Sequence, residues 1–296
     1  MRLCVRIVFT QRRGARREKN TIQSGADTPH SKDSGFRHPA RLVSRCFLSV
    51  AYNRCMETSL HRELKRLVSG NEEAEEQTLA GYRIDAVVDG RLIEVQVASL
   101  FAIRRKIADL LAQGFEVTVV KPLTARKQIV RRQRRGGAEI SRRWSPRHQD
   151  FPDVFSELVH FLGAFPHPNL TLELLLITEE EIRIPRPKRW HRQRDFAIED
   201  RCLMSVEDRR VIRSAEELLD LFPPAVQQLC CGAPFTTADL AIAADVPRWL
   251  AQKIAFCFRK LNLWETIGKQ QRAWLYQPVQ PRAKLRRPRT IRKRSA

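Results

Sequence analysis

An α/β fold is predicted over residues 56–195 by three features of the sequence. Asp89-Gly90 stands between the β-rich runs GYRIDAVV and RLIEVQV, the strongest short signal for a two-residue hairpin. Amphipathic helical patterns flank that hairpin on both sides. An apolar run, FEVTVVKP, follows the second helix. Helix, strands, helix and strand in that order form an α/β core over residues 57–122.

The elements follow from local signals. Thr58 opens TSLHRELKRLVSG, which has Leu60, Leu64, Leu67 and Val68 at helical spacing. EEQTLAG and the hairpin give two or three strands. Ser99 opens and Gly114 closes the helix SLFAIRRKIADLLAQG. FEVTVVKP is a strand that Pro122 is expected to stop. QIVRRQRRGGAEISRRWSP predicts a second hairpin turning at Gly136-Gly137, with mostly Arg at its exposed positions. FPDVFSELVHFLGAF predicts a helix and LTLELLLITEEEIRI a strand that extends the sheet. RPKRWHRQRDF is a basic loop with Trp190 embedded, and composition changes there.

The expected domains are an α/β unit over 56–195, a linker over 196–212 and a helical unit over 213–279. In that last unit Thr237 is expected to cap a short helix and Asp245-Val246-Pro247 to start another. RWLAQKIAFCFRKLNL places Leu250, Ile254, Phe258 and Leu261 on one buried stripe. LWETIGKQQRAWLY is expected to turn at Gly268-Lys269, with Trp249, Trp264 and Trp274 in the core. Three helices and a basic-tipped hairpin make a winged helix-turn-helix.

Charge is concentrated at the ends of this 296-residue chain of net charge +21. Residues 1–55 hold 12 Lys/Arg and 3 Asp/Glu, residues 280–296 hold 8 Lys/Arg and no acid, and 56–279 hold 34 basic against 30 acidic residues. Both ends read as disordered basic segments, or the first as an extension upstream of a start at Met56. Scattered cysteines without a CxxC pair predict a reducing, cytoplasmic compartment. No apolar run reaches the roughly 18–20 residues that span a bilayer, so no membrane association is expected. HRELK is not a zinc-hydrolase motif, no Gly-rich phosphate loop exists, and no Ser or Cys has a partnered base. His61, His160 and His167 read as surface or packing histidines.

The two-residue turn fixes a register: Val88 opposes Arg91, Val87 Leu92, Ala86 Ile93 and Asp85 Glu94. Opposed side chains lie about 4.5–5.5 Å apart at Cβ, and like charges there need a cation or a shared proton. Gln96 shares their face, while Tyr82, Ile84, Ala86, Val88, Ile93, Val95 and Val97 form an apolar reverse face.

Helix, hairpin, helix and strand with Asp85 and Glu94-Val95-Gln96 resemble the PD-(D/E)xK nuclease superfamily, with Gln in place of the usual Lys. The resemblance implies a restriction-endonuclease-like αβββαβ core, followed here by the hairpin/helix extension and the winged helix. It implies Mg²⁺ (or Mn²⁺) held by Asp85, Glu94 and the Val95 carbonyl, with Glu63 from the first helix completing the site and Gln96 orienting water. The whole arrangement also resembles a bacterial family that brings no substrate with it.

The expected partner is duplex DNA, with a homodimer for double-strand cutting. Arg131, Arg132, Arg134 and Arg135 suit a polyanion. Arg248, Gln252 and Lys253 lie off the buried stripe near the start of the recognition helix, and Lys269 and Arg272 lie at the wing. A non-catalytic DNA-binding regulator and a protein-interaction module are the competing expectations. For the first 55 residues, N-terminal mass spectrometry of the native protein is decisive: peptides from upstream of Met56 would end the start-site reading.

Overall fold

A computed structural model describes residues 58–70, 77–187 and 194–279, all within one compact unit that begins at Cys55. The expected arm over 1–55, the tail over 280–296 and Trp190 lie outside the described residues.

Helix α1 spans Ser59–Ser69, capped by the Thr58 hydroxyl and ended by Gly70 at φ 66°. That positive φ suits the residue that lacks a Cβ. The strands β1 (Gln77–Leu79) and β2 (Tyr82–Ile84) pair as a small separate sheet. After Asp85 come β3 (Ala86–Val88) and β4 (Arg91–Val95), paired in the predicted register from Val88↔Arg91 to Ala86↔Ile93. Helix α2 (Leu100–Ala112), with Ser99 as its cap, buries Leu100, Ile103, Ile107 and Leu110 at three- and four-residue spacing.

Next are β5 (Val117–Arg132), β6 (Glu139–Trp144), a 3-10 turn at Phe151–Val154, α3 (Phe155–Leu158), β7 (Leu170–Pro185) and β8 (Phe196–Ile212). A mixed sheet runs β3-β4-β5-β7-β8, with β6 on the far half of β5. The contacts β4–β5 and β5–β7 are parallel, while β3–β4, β5–β6 and β7–β8 are antiparallel. This is an α/β fold with a mixed central sheet.

Several expectations give way here. Pro122 does not stop its strand, because β4 pairs with β5 only as far as Val120 and β6 joins only from Gln128. The missing N–H of Pro122 falls in the gap between those two neighbours, where no strand asks for it. The segment 151–165 yields only the 3-10 turn and one turn of α3. Residues 196–212 are no linker: they form β8, hydrogen-bonded to β7 from Leu172↔Ile212 to Pro185↔Phe196.

Beyond β8 come a 3-10 turn (Glu216–Leu221), α4 (Pro224–Cys231), α5 (Thr237–Ala243), α6 (Arg248–Lys260) and the hairpin β9 (Trp264–Gln270)–β10 (Ala273–Pro278). Thr236 caps α5, one residue before the expected cap, in a reciprocal box with Asp239. The final hairpin turns at Gln271-Arg272 rather than Gly268-Lys269. Trp264 is buried, but Trp249 and Trp274 are 51% and 48% exposed, so they are surface residues and not core.

Two apolar layers sandwich the sheet. On one side Leu60 and Leu64 of α1 pack on Ala86, Ile93, Val95, Val120, Leu175 and Ile177. On the other, one continuous core joins α2, the sheet, α3 and α6. The expected single reverse face of the hairpin is therefore divided, with Tyr82 and Ile84 on the α2 side and Ala86, Ile93 and Val95 on the α1 side. No helix among the described residues is long and apolar enough to cross a membrane.

Phe258 joins the helical part to the sheet part, with ring centroids 5.5 Å from Phe155, 6.0 Å from Phe222 and 4.4 Å from Trp264. Phe258→Ala should cost about 3–5 kcal/mol. Denaturant unfolding followed by far-UV dichroism and by Trp fluorescence should give one coincident transition in the parent protein; two separated transitions would contradict a shared core.

Candidate functional site

Asp85 sits where the chain leaves one hairpin and enters the next. Leu92 N–H donates to Glu116 O at 2.9 Å and Gln96 N–H to Val120 O at 2.8 Å, both across to β5. Alternation then turns the peptide groups of Ile93 and Val95 toward the other edge of β4. The paired register ends at Ala86↔Ile93, so Val95 N–H has no strand partner there. It donates instead to the buried Asp85 carboxylate at 2.8 Å. The Val95 carbonyl faces the same edge by the same alternation.

The neighbouring helices supply hydrogen-bonding and charged partners to this edge. His61 Nε2, on α1, lies 3.3 Å from Asp85 Oδ2. Lys106 Nζ, on α2, lies 2.5 Å from Glu94 Oε2 and also bonds the Arg83 carbonyl. Lys65, buried on α1 one turn after His61, acts on Asp85 through its charge. Burial alone would raise the Asp85 pKa; hydrogen bonds from His61 and Val95 outweigh it and hold the carboxyl below its ordinary value. Burial pushes Glu94 up, and the Asp85 charge adds to that, against the opposing pull of Lys106. The two acids are thus driven apart in pKa by their surroundings. The like charges expected to require a metal or a shared proton are already faced by side-chain cations.

Asp85, Glu94 and Val95 come together as expected, but Glu63 and Gln96 do not join them. Glu63 accepts a 2.6 Å hydrogen bond from Leu203 N, so it fastens α1 to β8. Two residues along a helix is a rotation of about 200°, which is why His61 faces Asp85 while Glu63 faces away. The Gln96 amide donates to Ser99 O at 2.7 Å and is spent on the turn into α2. Sequence reasoning missed His61, Lys65 and Lys106. The i,i+4 spacing of His61 and Lys65 marks one helix face. Lys106 carries a weaker signal, three residues after the buried Ile103 on the flank of its stripe.

As donors, Asp85, Glu94 and the Val95 carbonyl form an oxygen-only set, the chemistry that Mg²⁺ and Mn²⁺ select. Among the described residues no three His, Cys, Asp or Glu side chains are grouped to hold a metal ion.

The basic residues divide into engaged and open groups. Arg132 lies 3.6 Å from Glu199, whereas Arg131, Arg134 and Arg135 form no ion pair among the described residues and are exposed. On α6, Arg248 and Gln252 are exposed. The expected base-reading role of Lys253 gives way, because its ammonium donates to Ser156 O at 3.1 Å and ties α6 to α3. Lys269 Nζ lies 4.3 Å above the Trp274 ring, and Arg272 sits exposed at the hairpin turn.

In a carboxyl ¹³C titration, Glu94 should titrate above its ordinary value and Asp85 below its own. Asp85→Asn removes a negative neighbour, so the Glu94 midpoint should fall; a midpoint that stays put or rises would contradict the coupling.

No solved structure matches the chain. It is 31% identical over 187 residues to an uncharacterized protein of Treponema pallidum (strain Nichols), covering 62% of this chain and 72% of that protein. A family model described as a domain of unknown function (DUF8091) matches residues 58–213. The match runs from the cap of α1 to the end of β8, takes in Asp85, Glu94 and Lys106, and covers more than half of the chain. The chain belongs to the DUF8091 family.

Proposed function

We propose that this protein is a Mg²⁺-dependent nuclease acting on duplex DNA, with a PD-(D/E)xK-like core over the DUF8091 region and a winged helix built from α4–α6 and the β9–β10 hairpin. The observation that carries the reading is Lys106 Nζ at 2.5 Å from Glu94, beside Asp85. Gln96 cannot supply a cation, and Lys106 brings one to the acid pair from the neighbouring helix.

Asp85, Glu94 and the Val95 carbonyl are the groups that would hold Mg²⁺ or Mn²⁺, whose chemistry at a phosphodiester is to polarise a phosphoryl oxygen and acidify bound water. Lys106 offers positive charge where negative charge develops on the phosphoryl group. His61 and Lys65 keep Asp85 ionised. Arg131, Arg134 and Arg135 on one hairpin would follow the phosphate backbone, Arg248 and Gln252 would meet the groove, and Lys269 and Arg272 would meet phosphate. Cutting both strands favours a homodimer, since each site faces one phosphodiester.

A second reading, a non-catalytic DNA-binding regulator on a nuclease-like scaffold, is favoured by the diversion of Glu63 and Gln96 to structural hydrogen bonds.

Plasmid cleavage with and without Mg²⁺ tests the pair of readings. The parent should cut, Asp85→Ala and Glu94→Ala should not, and Lys106→Met should lose about 10²–10³-fold in rate. Cleavage that survives both acid substitutions would sink the site. A parent that binds duplex DNA with a steep salt slope yet never cuts supports the regulator. In either case Arg272→Ala should lower the salt slope by about one.

A further inference from the structure

On the other flank of α1 from Asp85 lies a cavity of about 640 Å³, within the size range of small-ligand sites. Thr58 and Arg62 of α1 line it together with Arg132 and Arg135 of the β5–β6 hairpin and Glu199 and Asp200 of β8. Its two carboxylates differ in what they have left to offer. Asp200 is fully engaged, accepting from Ser59 N at 3.0 Å, Ser59 Oγ at 2.5 Å and Arg201 N at 2.8 Å. Glu199 gives one oxygen to Gly136 N at 2.8 Å, while its Oε2 is buried without a hydrogen-bond partner, 3.6 Å from Arg132. Among the described residues Arg135 has no ion pair, and Arg62 donates to Ser59 Oγ at 3.0 Å and acts on Asp200 through its charge.

Two guanidiniums with spare donors and one buried acceptor short of a donor define a ligand that carries an anionic group and an N–H or O–H. A phosphodiester group alone does not meet that description, because it has no proton to give Glu199 Oε2, and inorganic phosphate, although it carries an O–H at neutral pH, must place its charge and its donor on one small ion. A nucleotide meets the description. We propose that this cavity is a nucleotide subsite that takes one unstacked nucleotide of a nucleic-acid strand, with its phosphate on Arg62 and Arg135 and an amino or hydroxyl donor of base or sugar on Glu199 Oε2. The proposal rests on the nucleic-acid reading above, but not on catalysis. Placement supports it: adjacent residues of α1, His61 and Arg62, serve the acid pair and the cavity, so both lie on one helical turn. The uncommitted Arg131 and Arg134 lie on the same hairpin as Arg135 and extend the basic surface from the cavity.

Calorimetric titration of the full chain with dAMP, dCMP, dGMP and dTMP, and separately with inorganic phosphate, tests this. At least one mononucleotide should bind more tightly than phosphate. Arg62→Ala and Arg135→Ala should each weaken it about tenfold. Glu199→Gln keeps an acceptor for Gly136 N but turns a donor toward the cavity, and it frees Arg132. It should therefore strengthen phosphate binding while narrowing the gap between nucleotide and phosphate. A structural role alone would not produce that opposite movement. Thermal melting of each variant checks its fold, and because Arg135 is exposed at a turn, its variant keeps the test decisive if Arg62→Ala unfolds. Equal affinity for phosphate and every nucleotide, absence of saturable nucleotide binding, or binding indifferent to Arg135→Ala and Glu199→Gln would overturn the subsite. Mononucleotide binding with the expected variant pattern in a protein that never cuts would retain the subsite and end only the nuclease reading; cleavage without nucleotide binding would do the reverse.

Discussion

One hydrogen bond organises the acid pair, the 2.8 Å contact from Val95 N–H to the Asp85 carboxylate. A sheet strand whose N–H meets a side chain in place of another strand must end its ladder at that point, and β3 does so at Ala86. The break lets β1–β2 form a separate hairpin and lets Ile84 and Ala86 enter different apolar cores. A hydrogen bond to a charged, buried acceptor contributes about 1.5–3 kcal/mol, which works against the burial that raises the Asp85 pKa. Helix α1 presents His61 and Lys65 to that carboxylate while Leu60 and Leu64 pack on the sheet. Packing and charge thus fix the helix in the same orientation.

The same pairing of buried acids with cations recurs across the sheet. β7 carries buried glutamates in a row, and each faces cations from a neighbouring strand. Glu173 meets Arg209 at 2.8 Å, Glu179 meets Lys127 at 2.7 Å, and Glu181 meets Lys127 and Arg201 at 3.0 and 3.2 Å, with Arg183 of its own strand at 2.6 Å. Burying one partner without the other would cost several kcal/mol, so these pairs bind the register of β5, β7 and β8 to the sequence. Part of the positive charge of the described residues is thereby spent internally. Exposed Arg131, Arg134 and Arg135 on the β5–β6 hairpin, Arg248 on α6 and Arg272 on the last hairpin stand outside these pairs.

Local signals were legible in the sequence, and distant ones were not. Asp89-Gly90 yields the hairpin register because a two-residue turn leaves no freedom, and Thr58 and Ser99 mark helix starts because a hydroxyl must satisfy the first N–H groups. Pro122 misleads because its effect depends on which strands lie beside it, a tertiary fact. The supposed linker misleads for a related reason: the change of composition beside it marks no boundary, because Arg201 and Arg209 of β8 answer acids on β7. Trp249 and Trp274, expected in the core, lie at the surface instead, where lysine ammoniums stand over their rings at 5.6 and 4.3 Å.

The acid pair was visible as a pair because its two members are joined by one turn. Its partners were not, because Lys106 is 12 residues from Glu94 and His61 is 24 from Asp85. A motif written as a spacing on one strand registers Gln96 as a loss. Under the nuclease reading proposed above, the electrostatic requirement is set in space, and an ammonium 2.5 Å from Glu94 would meet it from whichever element carries it. What would matter chemically is then the charge that faces the acid pair, while the amide of Gln96 serves the turn into α2.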